Sequence, residues 1–284
     1  MTVPEAVVAW CLQQGHGDIT GLETVGGGCI NNGVRLHTRD GASFFLKTNA
    51  SAPPEMFLAE AHGLESLRRP GGPRLPAPHL WADDFLLMED LPPDSAGADL
   101  WPSLGRRLAA LHDYTSLRHG FDRDNFIGST PQPNPWTEDG FSFFAEQRLL
   151  FQAQLAHRQR RLAAADLRRV EALASRLRDL VPFQPASLIH GDLWSGNVIV
   201  GPGGEACLID PAAHYGWAEA ELGMTDLFGG FDPAFYAGYL EARPLPSGWR
   251  GRFPLYNLYH WLNHLNLFGE GYLASIRQTL DRFA

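Results

Sequence analysis

Lysine is almost missing from this chain. Of its 23 basic residues only Lys47 is lysine, which leaves 22 arginines. Arginine has served wherever a generic cation was enough. The one remaining lysine is a candidate for a task that needs a compact ammonium on a slender stem. Cysteine is scarce as well, with Cys11, Cys29 and Cys207 alone. An odd, sparse set argues against a disulfide scaffold, and the spacing matches no zinc site. No apolar run approaches the roughly 20 residues that span a bilayer. The opening MTVPEAVVAW has no basic n-region and does not read as a signal peptide, so the cytoplasm is the expected compartment. A basic footprint is also lacking. The net charge is −9 at pH 7, so neither nucleic acid nor a membrane is an expected partner.

What is present is a foldable globular chain. Its 284 residues, 44% hydrophobic and 19% charged, suit one large domain or two close-packed lobes. Residues 1–20 read as a short amphipathic helix. Glycine-punctuated strands follow: GLETVGGGCINNGVRLHT as a hairpin and GASFFLKTN as the next strand. SAPPEMFLAEAHGLESLRR reads as a helix with Ser51 as its cap, and HLWADDFLLMEDL as two short strands. Beyond the linker LPPDSAGAD the pattern is mostly helical, with a loop GFDRDNFIGSTPQPNPW and one strand–loop–strand stretch, SLIHGDLWSGNVIV to ACLID. Helices resume around 219–242 and 253–282. The outline is α+β: a small strand-rich lobe over 1–91 and a larger helical lobe over 92–284, with the ligand cleft expected between them.

The strongest motif is His190-Gly191-Asp192-Leu193-Trp194-Ser195-Gly196-Asn197, followed by Cys207-Leu208-Ile209-Asp210. Asp192 can take a hydroxyl proton. Asn197 offers a carbonyl oxygen and Asp210, on the next strand, a carboxylate, a donor set that suits Mg²⁺. The spacing matches a kinase catalytic loop and its metal-binding Asp. Gly26, Gly27 and Gly28 sit in a glycine-rich hairpin that lets backbone N–H groups approach phosphates. It lacks a Walker ending and leads into a strand, which favours a kinase-like covering loop over a P-loop. Lys47 ends the following strand, and Glu60 in the next helix is its expected partner, with Glu55 the alternative. FLLMEDL (85–91) reads as the strand and connector between the lobes. Met88, Glu89 and Leu91 are nucleotide-contact candidates there, the backbone of 89–91 being placed to bond an adenine. Gly191 stands where protein kinases carry arginine, and Pro211-Ala212 follows the metal Asp. Both predict a constitutively assembled site rather than a phosphorylation switch.

Together these stretches resemble the fructosamine kinase (ketosamine 3-kinase) family, in the aminoglycoside-phosphotransferase-like branch of the protein-kinase-like superfamily. GGGCINNG, FFLKTN, MFLAEAHGL, FIGSTPQPNPW, HGDLWSGN, LIDPA, LFGGF and LYHWLNHLNLFGEGY carry the resemblance over nearly the whole chain. It implies a bilobal kinase fold and phosphorylation of the 3-hydroxyl of ketosamines on small amines or glycated proteins. The 3-phosphate decomposes and restores the amine. It implies ATP and Mg²⁺ as cofactors, Asp192 as the catalytic base, Asn197 and Asp210 as metal ligands, and Lys47 with Glu60 as the phosphate clamp. Trp194 is expected to face the sugar, or else to be a buried scaffold tryptophan. His264 is a second substrate-side candidate. Trp217-Ala218 stands where the family has a polar or charged pair, which makes Trp217 a specificity candidate. Cys29 is either a small filler or a redox-sensitive thiol over the nucleotide. A monomer is expected, with a dimer the alternative. Two rival readings remain: another small-molecule kinase acting on an aminoglycoside, choline or a sugar, and a silent nucleotide-binding protein.

Overall fold

The computed structural model describes residues 2–25 and 32–284. Gly26, Gly27, Gly28 and Cys29 lie outside the described residues. The expectations placed on them, a phosphate cover and a redox thiol, are therefore carried by the sequence alone.

The chain opens with helix α1 (Glu5–Gln13) and strands β1 (Ile19–Val25), β2 (Asn32–Thr38) and β3 (Ser43–Thr48). Helix α2 (Met56–Leu67), β4 (Pro78–Trp81) and β5 (Phe85–Glu89) follow. The five strands form one antiparallel sheet in the order β1-β2-β3-β5-β4. Side chains alternate across a strand, and that period decides which residues meet the ligand. Phe44 and Leu46 of β3, with Phe85 and Leu87 of β5, pack outward against Val7 and Cys11 of α1. Their neighbours Phe45, Lys47, Leu86 and Met88 therefore face the other way, toward α2, and the pairs Phe45–Met88 and Lys47–Leu86 stand in register. On α2 the buried stripe Phe57, Ala61, Leu64 runs at helical spacing, and Glu60 flanks it on the side of Lys47.

The helical part begins with α3 (Leu100–His112), then β6 (Thr115–Ser116) and the hairpin β7 (Asn125–Ile127) and β8 (Thr130–Gln132). Next come α4 (Gly140–Phe144), a wider turn over Ala145–Leu150, α5 (Phe151–Arg158), α6 (Ala164–Ser175) and α7 (Leu177–Leu180). Strand β9 (Ala186–Ile189) precedes the catalytic-loop segment, which returns through β10 (Val198–Val200), β11 (Ala206–Leu208) and β12 (His214–Gly216). Helices α8 (Ala218–Met224), α9 (Pro233–Ala242), α10 (Trp249–Phe268) and α11 (Leu273–Phe283) close the chain. The core does not stop at the lobe junction. Phe57, Leu64 and Met88 share one buried cluster with Leu104 and Leu108 of α3, Leu188 of β9 and Leu208 of β11. A second cluster lies between α10 and the helices α4 to α6. No helix among the described residues is long and apolar enough to cross a membrane.

Two local readings need correction. Ser51 does not cap α2. That helix starts at Met56 after Glu55, which adopts φ 63°, and the Ser51 N–H instead bonds Asn49 Oδ1 at 2.9 Å. The helices expected around 219–242 are α8 and α9, parted where Phe228, Gly229 and Gly230 all take positive φ. The presumed loop after Gly120 contains the β7–β8 hairpin.

Candidate active site

Between the lobes lies a cavity of about 1,120 Å³, lined by Lys47, Glu60, Met88, Glu89, Leu91, Asp192, Trp194, Asn197, Asp210 and His264. Nearly every site residue read from the described part of the sequence therefore meets in one place. Lys47 is buried at the end of β3. Its ammonium donates to Glu60 Oε1 at 2.5 Å and also to Asp210 Oδ1. Burial works against its charge, but the carboxylates of Asp210 and Glu60 outweigh that and raise its proton affinity. Glu55, the alternative partner, sits at the helix entrance with its backbone left-handed.

The catalytic loop is held by its own polar groups. The His190 Nε2–H donates to the Ile209 carbonyl at 2.9 Å, and its Nδ1 accepts the Asp192 N–H at 3.3 Å. One neutral imidazole thus ties the Asp192 turn to the strand end that carries Asp210, and burial lowers its pKa in keeping with that neutral role. Gly191 takes φ 83°, and a Cβ there would meet the Ala212 carbonyl oxygen at 2.2 Å. No other residue fits this approach. The Gly191 N–H donates to Glu221 Oε1 at 2.7 Å, while Glu221 Oε2 accepts from His112 Nε2 at 2.8 Å. Sequence reading missed both Glu221 and His112; a glutamate within an apolar helix start was the available signal.

Asn197 donates through Nδ2 to the Asp192 carbonyl at 2.7 Å and to Asp192 Oδ2 at 3.1 Å. That commits its amide nitrogen and leaves Oδ1 for another partner. Burial pushes the Asp192 carboxyl up to about 7, against the Asn197 bond and with help from the charges of Asp210 and Glu221. Asp210 has φ 58°, an unusual backbone for an aspartate, and its side chain is 42% exposed to the cavity. The two oxygens left over, Asn197 Oδ1 and a carboxylate oxygen of Asp210, are hard donors that fit Mg²⁺ completed by phosphate oxygens and water. The segment after Asp210 is pinned. The Ala212 N–H bonds the His190 carbonyl at 2.9 Å, Gln132 Nε2 bonds the Ala212 carbonyl at 3.1 Å, and Asn125 Nδ2 bonds the Ala213 carbonyl at 2.8 Å. The β7–β8 hairpin supplies the last two of these bonds, and Pro211 adds its own restriction.

At the connector, the Glu89 N–H is already bonded to the Ala77 carbonyl at 2.8 Å, so that donor is not free for a base. The Ala77 N–H bonds the Glu89 carboxylate at 3.1 Å rather than the Glu89 carbonyl. The groups left to read a base are the Glu89 carbonyl and the Leu91 N–H.

One side of the cavity is aromatic. Trp194 meets Phe228 edge to face with ring centroids 5.6 Å apart, and His264 lies 5.0 Å from Phe228. Phe268 and Tyr272 extend the wall. Sequence reading named Trp194 and His264 but not Phe228, Phe268 or Tyr272. Trp217 is not part of this wall. It is 3% exposed, stacks on Phe144 at 5.0 Å and packs against Phe141 and Tyr256. The specificity role read for it is corrected accordingly: its ring fills the core between α4 and α10.

Comparison with known proteins gives one consistent answer. The family model described as fructosamine kinase matches residues 5–284. A Synechocystis protein named a probable ketoamine kinase is 44% identical, over 91% of this chain and 88% of its own. An Arabidopsis thaliana protein named a chloroplastic protein-ribulosamine 3-kinase is 40% identical, over 96% of this chain and 86% of its own. A crystal structure described as a fructosamine-3-kinase from Thermobifida fusca superposes with a TM-score of 0.88 at 33% identity, covering 98% of both chains. An aminoglycoside phosphotransferase bound to ADP and hygromycin B shares the fold alone, at a TM-score of 0.61 and 15% identity over 98% of this chain and 96% of its own.

Proposed function

The chain belongs to the fructosamine kinase family, and from that premise we propose that it transfers the γ-phosphoryl group of ATP to the 3-hydroxyl of ketosamines, on small amines or on glycated protein lysines. The observation that carries this reading is the shared cavity: a buried Lys47–Glu60–Asp210 group on one side, Asp192 with Asn197 below it, and an aromatic wall beside them.

The adenine would lie against Met88, with the Glu89 carbonyl and Leu91 N–H reading its edge. Lys47 would clamp the α- and β-phosphates. Asn197 Oδ1 and Asp210 would hold Mg²⁺, which would supply positive charge against the phosphates. The chain's own work is positioning. Asp192 accepts the proton of the attacking 3-hydroxyl as its oxygen bonds to the γ-phosphorus, and the bond to the bridging oxygen of ADP breaks. His190 and Asn197 hold Asp192 in place for that transfer. Trp194, Phe228 and His264 would pack the sugar and its amine. The nucleotide-covering lobe is assigned to 1–91 and the substrate lobe to 92–284, acting as a cytoplasmic monomer. After transfer, loss of the 3-phosphate regenerates the amine.

The test is ADP release with Mg·ATP over ribulosyl-lysine, fructosyl-lysine, an aminoglycoside and choline. Turnover confined to the two ketosamines is expected. Turnover on the aminoglycoside or choline alone would overturn the acceptor, and ATP binding without turnover on any of the four would overturn the enzyme.

A further inference from the structure

Arg148 heads the fully buried side chains of this protein, at 1% exposure, and it has no carboxylate partner among the described residues. Its guanidinium donates to the Pro133 carbonyl at 2.8 Å, the Gln147 carbonyl at 3.0 Å and Asn134 Oδ1 at 2.6 Å, all neutral acceptors. Its Nε–H has no partner among the described residues. Phe143 and Tyr259 cover its faces, with centroids 4.5 and 5.8 Å from the guanidinium carbon. The nearest acidic influence, Asp124, is engaged elsewhere, accepting the Asn134 N–H at 2.7 Å. Buried charges are ordinarily paired, because desolvation is costly and an unpaired ion gains nothing to offset it.

Arg148 borders a cavity of about 30 Å³ behind the catalytic loop, separate from the nucleotide cleft, whose wall also includes His119, His214, Trp217 and His260. By the measure of roughly 10–15 Å³ per water, this space admits about two waters or one monatomic ion. Both ring nitrogens of the buried His119 lack partners, as does His260 Nδ1. Gly140 keeps the space open. A Cβ on it would lie 2.6 Å from His119 Nε2 and 2.7 Å from Trp217 Nε1, so both nitrogens border the space beside Gly140. Glu221 also borders the cavity, but its oxygens are taken by His112 and the Gly191 N–H.

We propose that this cavity is an anion site, holding one small monovalent inorganic ion of the chloride type against the Arg148 Nε–H, with N–H donors from His119 and Trp217. The histidines around it are held neutral by burial, so each supplies a single donor; Arg148 supplies the positive charge, and the Glu221 carboxylate on the same wall already has its oxygens bonded. The ion completes the pairing that Arg148 lacks. It joins the segment between β6 and β7, the helix turn after α4 and the residue that follows β12, in a cavity that Gly191 also borders. Its role is structural, independent of the acceptor that the cleft takes.

Two measurements on the whole chain test this. Crystals grown without chloride and soaked in bromide should show one anomalous peak in the cavity, beside Arg148 Nε. Thermal unfolding at constant ionic strength, with gluconate replaced by chloride, should show a saturating rise in Tm. At tenfold excess over Kd the folding constant rises about elevenfold, a shift of roughly 2–5 °C for a chain of this size. The rise should vanish in Arg148→Met, and the milder His119→Phe should reduce it if the first variant does not fold. Ordered waters in the cavity with no anomalous peak, or a Tm in wild type that ignores chloride, would overturn the proposal.

Discussion

Glu221 gives the sharpest separation between two substitutions that look alike on paper. Its carboxylate is fully buried between His112 Nε2 at 2.8 Å and the Gly191 N–H at 2.7 Å, and His112 Nδ1 in turn meets the Tyr239 hydroxyl at 2.7 Å. Replacing it with leucine strands two buried polar groups, each costing about 1–3 kcal/mol. Glu221→Leu should therefore lose roughly 2–6 kcal/mol of stability, a Tm fall on the order of 5–20 °C. Because Gly191 directly precedes Asp192, kcat should fall as well, with little change in KM for ATP. Glu221→Gln behaves differently. Its Oε1 can still accept the Gly191 N–H, and its amide N–H can donate to His112 Nε2 if the imidazole proton moves to Nδ1. That tautomer then donates to the Tyr239 oxygen, which keeps the contact but leaves the buried Tyr239 O–H without its acceptor. The expected cost is that of one stranded hydroxyl, about 1–3 kcal/mol, less than in the Leu variant, with kcat within a few-fold of wild type. Thermal melting, steady-state ADP release and the ¹⁵N shifts of His112, which should report the tautomer exchange, make the comparison. A Gln variant as damaged as the Leu variant, or a Leu variant as stable as wild type, would refute the reasoning.

Other substitutions follow from the same geometry. Asp192→Asn should lower kcat by roughly 10²–10⁴ while leaving nucleotide binding intact, measured by ADP release and by ATP titration. Lys47→Arg keeps the charge but cannot fit a forked guanidinium between Glu60 and Asp210, and a loss on the order of 10²-fold in kcat/KM is expected. Phe228→Ala should raise the acceptor KM without changing the ATP KM, whereas Trp217→Phe should lower Tm and leave acceptor preference unchanged. Acid should destabilise the fold early. His112, His190, His214 and His260 are all buried with depressed pKa values, His260 to about 3, so stability is full above the unfolded value near 6.5 and is lost as pH falls below it. His260 alone contributes about 1.4 kcal/mol per pH unit in that window, the others add in the same direction, and Tm measured from pH 7.5 to 5 should drop with net proton uptake on unfolding.

Much of the site could be read from sequence because catalytic chemistry is local. Asp192, Asn197 and Asp210 lie within one strand–loop–strand stretch, and the fixed spacing reports their geometry directly. Lys47 was legible for a different reason: in a chain that uses arginine everywhere else, a lone lysine marks a place where arginine does not serve. The supports were harder to see. Glu221 and His112 lie 109 residues apart in sequence and act through a buried hydrogen bond, which no local pattern encodes. Asn125 and Gln132 sit in what reads as a polar loop, and only the fold shows their amides holding the Ala212 and Ala213 carbonyls. Trp217 was misread because a residue next to a functional stretch is easily given a functional role; its aromatic neighbours Phe141 and Phe144 come from a helix about seventy residues earlier. Phe228 lies in the break between α8 and α9, where its own positive φ and the two glycines after it bring its ring to the cleft, a placement that no motif in the sequence marked.

The most direct test of the central claim is the identity of the product. Wild-type protein would be incubated with Mg·ATP and fructosyl-lysine labelled with ¹³C in the sugar, and followed by ³¹P and ¹³C NMR. The account predicts a phosphate on the oxygen of C3, decaying with release of free lysine, and no such signal with Asp192→Asn. Phosphate on any other hydroxyl, or ATP consumed with the sugar untouched, would contradict it.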